Sequence, residues 1–239
     1  MTCACLLGYD PGGEHAHGLA LCEVAQVEGR WCPQSLLVAT ASSVREVIAW
    51  VESQAAGAHL LAVGLDTLTE WNSGSGGWRP ADFWLRKAYP TVRLSVTPPN
   101  ALFGSMAVNG ASFLHLMALR FQQDGTQITE AHPKVLYHAM TGRKHAWATD
   151  HEFMATWLLQ ELGLDQPPTI FGPNDHPFDA ALSLLPALRG LNGDWTLDLH
   201  ALPKDPKTGD PVPYAGKTHY WWPSPTKSTP GTTHYTGEK

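Results

Sequence analysis

Four carboxylates stand far apart in the chain, each in a setting that lets it do chemistry with the others: Asp10 in LLGYD, Asp66 in AVGLD, Glu130 in QITE and Asp179 in HPFDAALSLL. Asp10 and Asp66 close short apolar runs of strand character, and Glu130 lies near the end of a third strand-like run. Open α/β sheets bind ligands beyond the carboxyl ends of their strands, so acids ending neighbouring parallel strands converge on one edge. Asp179 falls on a helix whose Ala180, Ala181 and Leu184 predict close packing against the sheet, which brings a fourth acid to the same place. Clustered carboxylates repel one another and call for protons or cations. Mg2+ or Mn2+ suits oxygen ligands, and Mg2+ keeps waters in its shell, which leaves room for a phosphate and an attacking water. Two ions held about 3.5–4 Å apart activate that water and stabilise the leaving oxygen. The pattern predicts metal-dependent hydrolysis of phosphodiester bonds in nucleic acid, with Asp10, Asp66, Glu130 and Asp179 as both catalytic residues and metal ligands.

The surrounding elements have to deliver those acids. Residues 3–10, 17–25 and 34–40 read as short strands, broken at Pro11–Gly13 and around Glu28–Gly29, and their short connections make an antiparallel meander. Ser43 with Glu46 resembles a capping box, after which Val44, Val47, Ile48 and Val51 recur at helical spacing until Gly57. The run 60–65 is apolar on both faces, as a central strand parallel to the first would be after a helical crossover. Residues 70–90 are rich in Trp, Gly and Ser and turn amphipathic over 82–88; with a strand expected at 92–97, they read as an insertion over about 70–97. A helix within 105–123, a strand at 127–131, helices within 134–140 and 150–162, and a last helix starting near His176 follow. Past Leu199 come seven prolines with little periodicity, a tail over 200–239 that Trp221 and Trp222 predict to wrap the domain. This order predicts an α/β ribonuclease H-like fold over 1–199: a mixed sheet of a three-strand meander plus parallel strands, flanked by helices.

Composition sets bounds on that reading. With 43% hydrophobic and 16% charged residues the chain can bury one sizeable core. No apolar run approaches a membrane span, and the first residues have no signal-peptide pattern, so a cytoplasmic protein is expected. Cys3, Cys5, Cys22 and Cys32 lack CxxC spacing and read as buried thiols. The net charge of −6 runs against nucleic-acid binding, which needs Lys and Arg on phosphates; Arg79, Arg86, Lys134, Arg143 and Lys144 are the cations that would have to serve.

Lesser features are read conservatively. Glu14, His15 and His17 fit a solvated hairpin better than a proton shuttle or extra ligands. His132, Lys134 and Arg79 are candidates for supporting the acids or binding substrate. Asp175 is expected to cap the last helix, with His176 and Pro177 opening it. Trp71, Trp78 and Trp84 suit aromatic packing within the insertion more than base stacking.

The segments GYDPGG, VGLDTL, GWRPADFWLR, TEAHPKVLYHAMTG and FDAALSLL, in this order and spacing from about Leu6 to Gly190, resemble an uncharacterised family of predicted ribonuclease H-like nucleases. The resemblance implies that fold, nuclease activity, and metal ligation by Asp10, Asp66, Glu130 and Asp179. It places Arg79 and Asp82 on an Arg-Pro-x-Asp motif without an assigned role. VGLDTLTEW lacks the proline that usually follows the second acid in the family. Two alternatives stay open: an inactive metal- or partner-binding module on the same fold, and an actin-like nucleotide phosphotransferase, whose phosphate-facing hairpin Gly-x-Asp-Pro-Gly-Gly resembles but which needs a second copy of the meander.

Overall fold

The computed structural model describes residues 4–13, 15–72, 74, 77–98, 104–121, 125–204, 210–214 and 216–224, with 104 and 105 described as backbone only. The meander forms as its turn residues dictate: β1 (Ala4–Asp10), β2 (His17–Val27) and β3 (Arg30–Ala41) pair antiparallel. Ser43 caps α1 (Val44–Gln54) by accepting from the Glu46 N–H, while the Glu46 carboxylate accepts from Ser42 N rather than from the cap residue. The crossover returns the chain to β4 (His59–Leu65), parallel to β1, and β6 (Gln127–Glu130) lies parallel to β4. The sheet order is β3-β2-β1-β4-β6, a mixed ribonuclease H-like sheet.

Alternation along β1 separates two cores. Cys5, Leu7 and Tyr9 face Val47, Ile48 and Val51 of α1 and Phe113, Leu114 and Met117 of α3 (Gly104–Arg120). Leu6 faces the other side, where α4 (Pro133–Thr141), α5 (Trp147–Leu162), α6 (His176–Leu182) and α7 (Leu184–Leu191) pack. Pro186 has no N–H for the Leu182 carbonyl, which fits the break between α6 and α7 at Ser183.

The insertion contains β5 (Glu70–Asn72) and α2 (Pro80–Ala88). The strand expected at 92–97 is instead a 3-10 turn, Pro90–Ser95. Val92 and Val96 are buried while Leu94 between them is 82% exposed, so the apolar alternation that suggested a strand does not correspond to a sheet face. No edge is open to such a strand beside β6, because His219 pairs there: its N–H donates to Ile128 O and its carbonyl accepts from Glu130 N. This contact belongs to the C-terminal segment, whose described parts form β7 (Leu197–Asp198), β8 (Pro211–Pro213) and β9 (Trp221–Trp222). Tyr220 and Trp222 are fully buried, with the Trp222 indole donating to Tyr89 Oη. Cys5 and Cys22 are buried thiols and Cys32 is half-buried. Among the described residues there is no second copy of the meander, and no helix is long and apolar enough to cross a membrane.

Candidate metal centre

Register decides which acids meet. Gly8 lies beside Gly64 and Tyr9 beside Leu65, and the Asp66 N–H donates to Tyr9 O, so Asp10 and Asp66 leave adjacent strands at the same level. Both share the pleat of Gly8 and Gly64, the one facing α6 and α7. Three glycines on neighbouring strands let the α6–α7 backbone lie directly on that face. A methyl group on Gly18 would sit 1.9 Å from His176 O, on Gly8 2.0 Å from Ala180 O, and on Gly64 1.8 Å from Ser183 O. The approach carries Asp179, in the first turn of α6, down to the strand ends.

Carboxylate oxygens of Asp10, Asp66 and Asp179 all lie within 4.8 Å of one another. Asp10 and Asp179 are buried and Asp66 is half-buried. Burial, offset in part by the His176 hydrogen bond and reinforced by Asp179, pushes the Asp10 carboxyl up to about 6. Asp66 is raised well above the usual range by burial and then by Asp10 and Asp179, with Lys134 opposing. Its carboxylate accepts no hydrogen bond from a described residue. At an effective dielectric of about 20, two full charges at such a distance repel by about 3.5 kcal/mol. The donor set fits a hard divalent cation: oxygens sharing an ion at about 2.1 Å stand roughly 3–4 Å apart, so small rotations would close these three onto one ion.

Two imidazoles brace the acids. His176 Nδ1 lies 2.7 Å from Asp10 Oδ2, and this bond, opposed by burial, raises the His176 pKa. His145 Nε2 lies 2.7 Å from Asp179 Oδ1, and His145, Asp175 and Asp179 form a second group whose ligand atoms also lie within 4.8 Å of one another. A cleft of about 230 Å³ opens over the acids, its wall including Gly12, Met106 and Lys134.

Glu130 is not brought into this group. It stands beside Leu65, with Ala131 donating to Leu65 O, so register puts it on the opposite pleat from Asp66. Its oxygens are occupied: Arg79 Nη1 and Nη2 donate to Oε2 and Oε1 at 2.7 and 2.6 Å, and Thr69 N donates to Oε2 at 2.9 Å. Burial would push the Glu130 carboxyl up, but the Arg79 guanidinium overrides it and, with His200 3.4 Å away, holds it far below the ordinary value. Arg79 is itself 1% exposed and also grips Asp82 through Nε and Nη2, while Asp82 Oδ2 accepts from Arg79 N. The Arg-Pro-x-Asp motif thus anchors the insertion to the end of β6.

The remaining sequence candidates divide. Lys134 is exposed and lines the cleft. His132 hydrogen-bonds Ser95 O through Nε2, away from the cleft lining, and its buried Nδ1 has no hydrogen-bond partner among the described residues. Arg86 donates to Arg93 O and Val96 O and lies over Trp78, and Arg143 lies over the Phe153 ring, so neither is committed to the acids. His17 is not solvated: it is 2% exposed and bonded to Tyr9 Oη. Exposed His15 pairs with Ser42, and Glu14 lies outside the described residues. Asp175 precedes α6 without making a side-chain cap bond and joins His145 and Asp179 instead. Trp78 stacks on Phe83, Trp84 meets Tyr89 edge-on, and Trp71 is 36% exposed. Sequence reasoning missed His145, a loop residue between α4 and α5 that nothing in its spacing links to Asp179, and read His176 only as the opening of a helix.

No protein-family model matches the chain, and no curated protein matches it. Among solved structures it is similar to RuvC from Thermus thermophilus, at 17% identity and a TM-score of 0.44 over 87% of this chain and 99% of that one. A second structure, T. thermophilus RuvC in complex with a Holliday junction substrate, is similar at 16% identity and a TM-score of 0.42 over 78% of this chain and 94% of the other. Strand order and register, rather than this distant likeness, define the fold.

Proposed function

We propose that the chain is a metal-dependent phosphodiester hydrolase acting on nucleic acid, in the family of ribonuclease H-like nucleases that its motifs resemble. One observation carries the reading: Asp10, Asp66 and Asp179 converge from two parallel strand ends and a helix into a group of carboxylates whose oxygens lie within 4.8 Å of one another, with Asp66 accepting no hydrogen bond from a described residue. These three would hold Mg2+ or Mn2+. Such an ion, when bound, supplies Lewis acidity toward a phosphoryl oxygen and a water of lowered pKa. Asp179 also belongs to the group with His145 and Asp175, which supports a two-ion site with Asp179 between the ions. Glu130 has no part in holding metal in this reading, since Arg79 already occupies both its oxygens. His176, a third exposed beside Asp10, carries a proton at Nδ1 at the mouth of the cleft, and Lys134 on the wall meets a substrate phosphate.

The test is cleavage of labelled single- and double-stranded DNA and RNA with Mg2+ or Mn2+, comparing the native chain with Asp10→Asn and Asp66→Asn. Metal-dependent cleavage that both variants lose while remaining folded is expected. No cleavage of any of the four substrates overturns the activity. A second reading, a metal-binding module without cleavage, is favoured by the scarcity of cations: among the described residues Lys134 is the one Lys or Arg lining the cleft, and the chain carries −6 overall. Metal binding without cleavage is its signature.

A further inference from the structure

Gly12 and Thr67 follow Asp10 and Asp66 by two residues and one, and both are held by the same turn of α3. Asn109 Nδ2 donates to Gly12 O at 2.7 Å, and Thr67 Oγ1 donates to Met106 O at 3.3 Å. Gly110 lets the helix press on Thr67 itself: a methyl there would lie 2.4 Å from Thr67 Oγ1. Further along, α3 is set on the sheet by buried Phe113, Leu114 and Met117, with the Phe113 ring 4.3 Å from that of Tyr9, the neighbour of Asp10. The opposite side of the turn is open, Val108 being 64% exposed. Met106 meanwhile lines the cleft alongside Asp10 and Asp66.

Gly12 is buried, and a buried carbonyl needs a donor. Its loop cannot relax inward, since a methyl on Gly12 would already strike Ala16 O at 1.9 Å. We infer that Asn109 is a positioning residue for the metal centre: through it α3 fixes the loop behind Asp10 to the same turn that holds the loop behind Asp66, and so sets the gap between the two acids. The inference rests on the proposed metal site. Hydrogen-bonding groups that orient ligands in this way change metal affinity by about 10–100-fold when removed.

Asn109→Leu keeps the side chain's shape and removes the donor; Asn109→Ala serves if Leu does not fold, and Val108→Ala on the exposed side of the same turn is the control. Mn2+ affinity is measured by calorimetry, amide hydrogen exchange is followed over residues 11–16, and thermal midpoints are recorded for each chain. The expected result is an Mn2+ affinity about 10–100-fold weaker with faster exchange confined to that loop, while the thermal midpoint falls only by the few degrees that one stranded buried carbonyl costs and exchange elsewhere matches Val108→Ala. Wild-type affinity in the Asn109 variants overturns the inference, as does an affinity loss accompanied by faster exchange throughout the chain. A native chain that binds no Mn2+ overturns the metal centre itself, and this inference with it.

Discussion

Arg79→Met separates an anchoring Glu130 from a metal-ligating one. The guanidinium is 2% exposed and lies between two carboxylates that are each 3% exposed. Removing one partner of a buried ion pair costs about 3–5 kcal/mol, because the charge left behind has neither partner nor water. Here two carboxylates are left, so the upper part of that range is expected, out of a total of about 5–15 kcal/mol for a domain. At about 2–4 °C per kcal/mol the thermal midpoint falls by roughly 8–20 °C. Urea denaturation followed by tryptophan fluorescence reads the difference. Neutralising the stranded groups, in Arg79→Met/Asp82→Asn/Glu130→Gln, recovers most of it.

The pH dependence has a definite sign. In the native chain Glu130 is held far below its ordinary pKa, so its contribution is full above about 4.3 and is lost only as pH falls through the depressed value. In Arg79→Met only His200 and the Thr69 N–H still oppose burial, so the Glu130 carboxyl rises, and proton uptake there or on His200 gives the variant stability as pH falls from neutral. The gap between the two chains therefore narrows from pH 7.5 to pH 5. A loss under about 1 kcal/mol, no recovery in the triple variant, or a gap independent of pH refutes the account. Glu130→Gln alone should keep Mn2+ affinity, whereas a ligand role for Glu130 requires that it be lost.

Further outcomes follow from the glycine contacts and from the acids of the metal centre. Gly64→Ala puts a methyl 1.8 Å from Ser183 O, a backbone atom that can yield only if α6 and α7 lift, so it should cost about 1–3 kcal/mol and weaken Mn2+ binding through Asp179. Gly13→Ala, which meets nothing within 4 Å, should leave stability unchanged in the same denaturation series. The Asp10 carboxyl at about 6 and raised Asp66 must lose protons to bind a cation, so Mn2+ affinity by calorimetry should climb as pH passes through about 6. For the metal-free chain the sign reverses. A raised carboxyl binds its proton more tightly when folded, so on the order of 3 kcal/mol attributable to Asp10 is lost as pH rises from about 4 through about 6; affinity and stability both flat across that window would contradict the pKa assignments.

The strand ends carrying Asp10 and Asp66 were readable because β1 and β4 are buried on both faces and leave a plain hydrophobic trace. Glu130 looked equivalent because it too lies at the end of a strand-like run, although QITE is short and mostly polar. What separates it is a one-residue difference in register against β4, which composition does not encode, together with an arginine from the insertion 51 positions earlier. The motif that supplies this arginine was visible, but its role was not. The glycines were the neglected signal: a glycine inside a strand often marks close approach of another backbone, and Gly8, Gly18 and Gly64 do so together. His145 had no such marker, since its partnership with Asp179 arises from how α4 and α5 pack.

Those glycines and the acid cluster work as one arrangement. Asp179, if ionised, is pushed from Asp10 and Asp66 by about 3.5 kcal/mol each at an effective dielectric of about 20. Against that, α6 and the start of α7 bury Phe178, Leu182, Leu184 and Leu185 completely, at about 1.5–3 kcal/mol per side chain. The two effects are of similar size, and protonation at Asp10 or Asp66 or the His145 hydrogen bond to Asp179 tips the balance toward a closed helix. The acids are therefore held together by packing before any cation arrives, and the repulsion stored there becomes binding free energy for a divalent ion. A side chain at Gly64 weakens the packing term by about 1–3 kcal/mol and leaves the repulsion. Its effect on metal affinity should therefore exceed that of an equally destabilising substitution far from α6, such as one in the β3 edge.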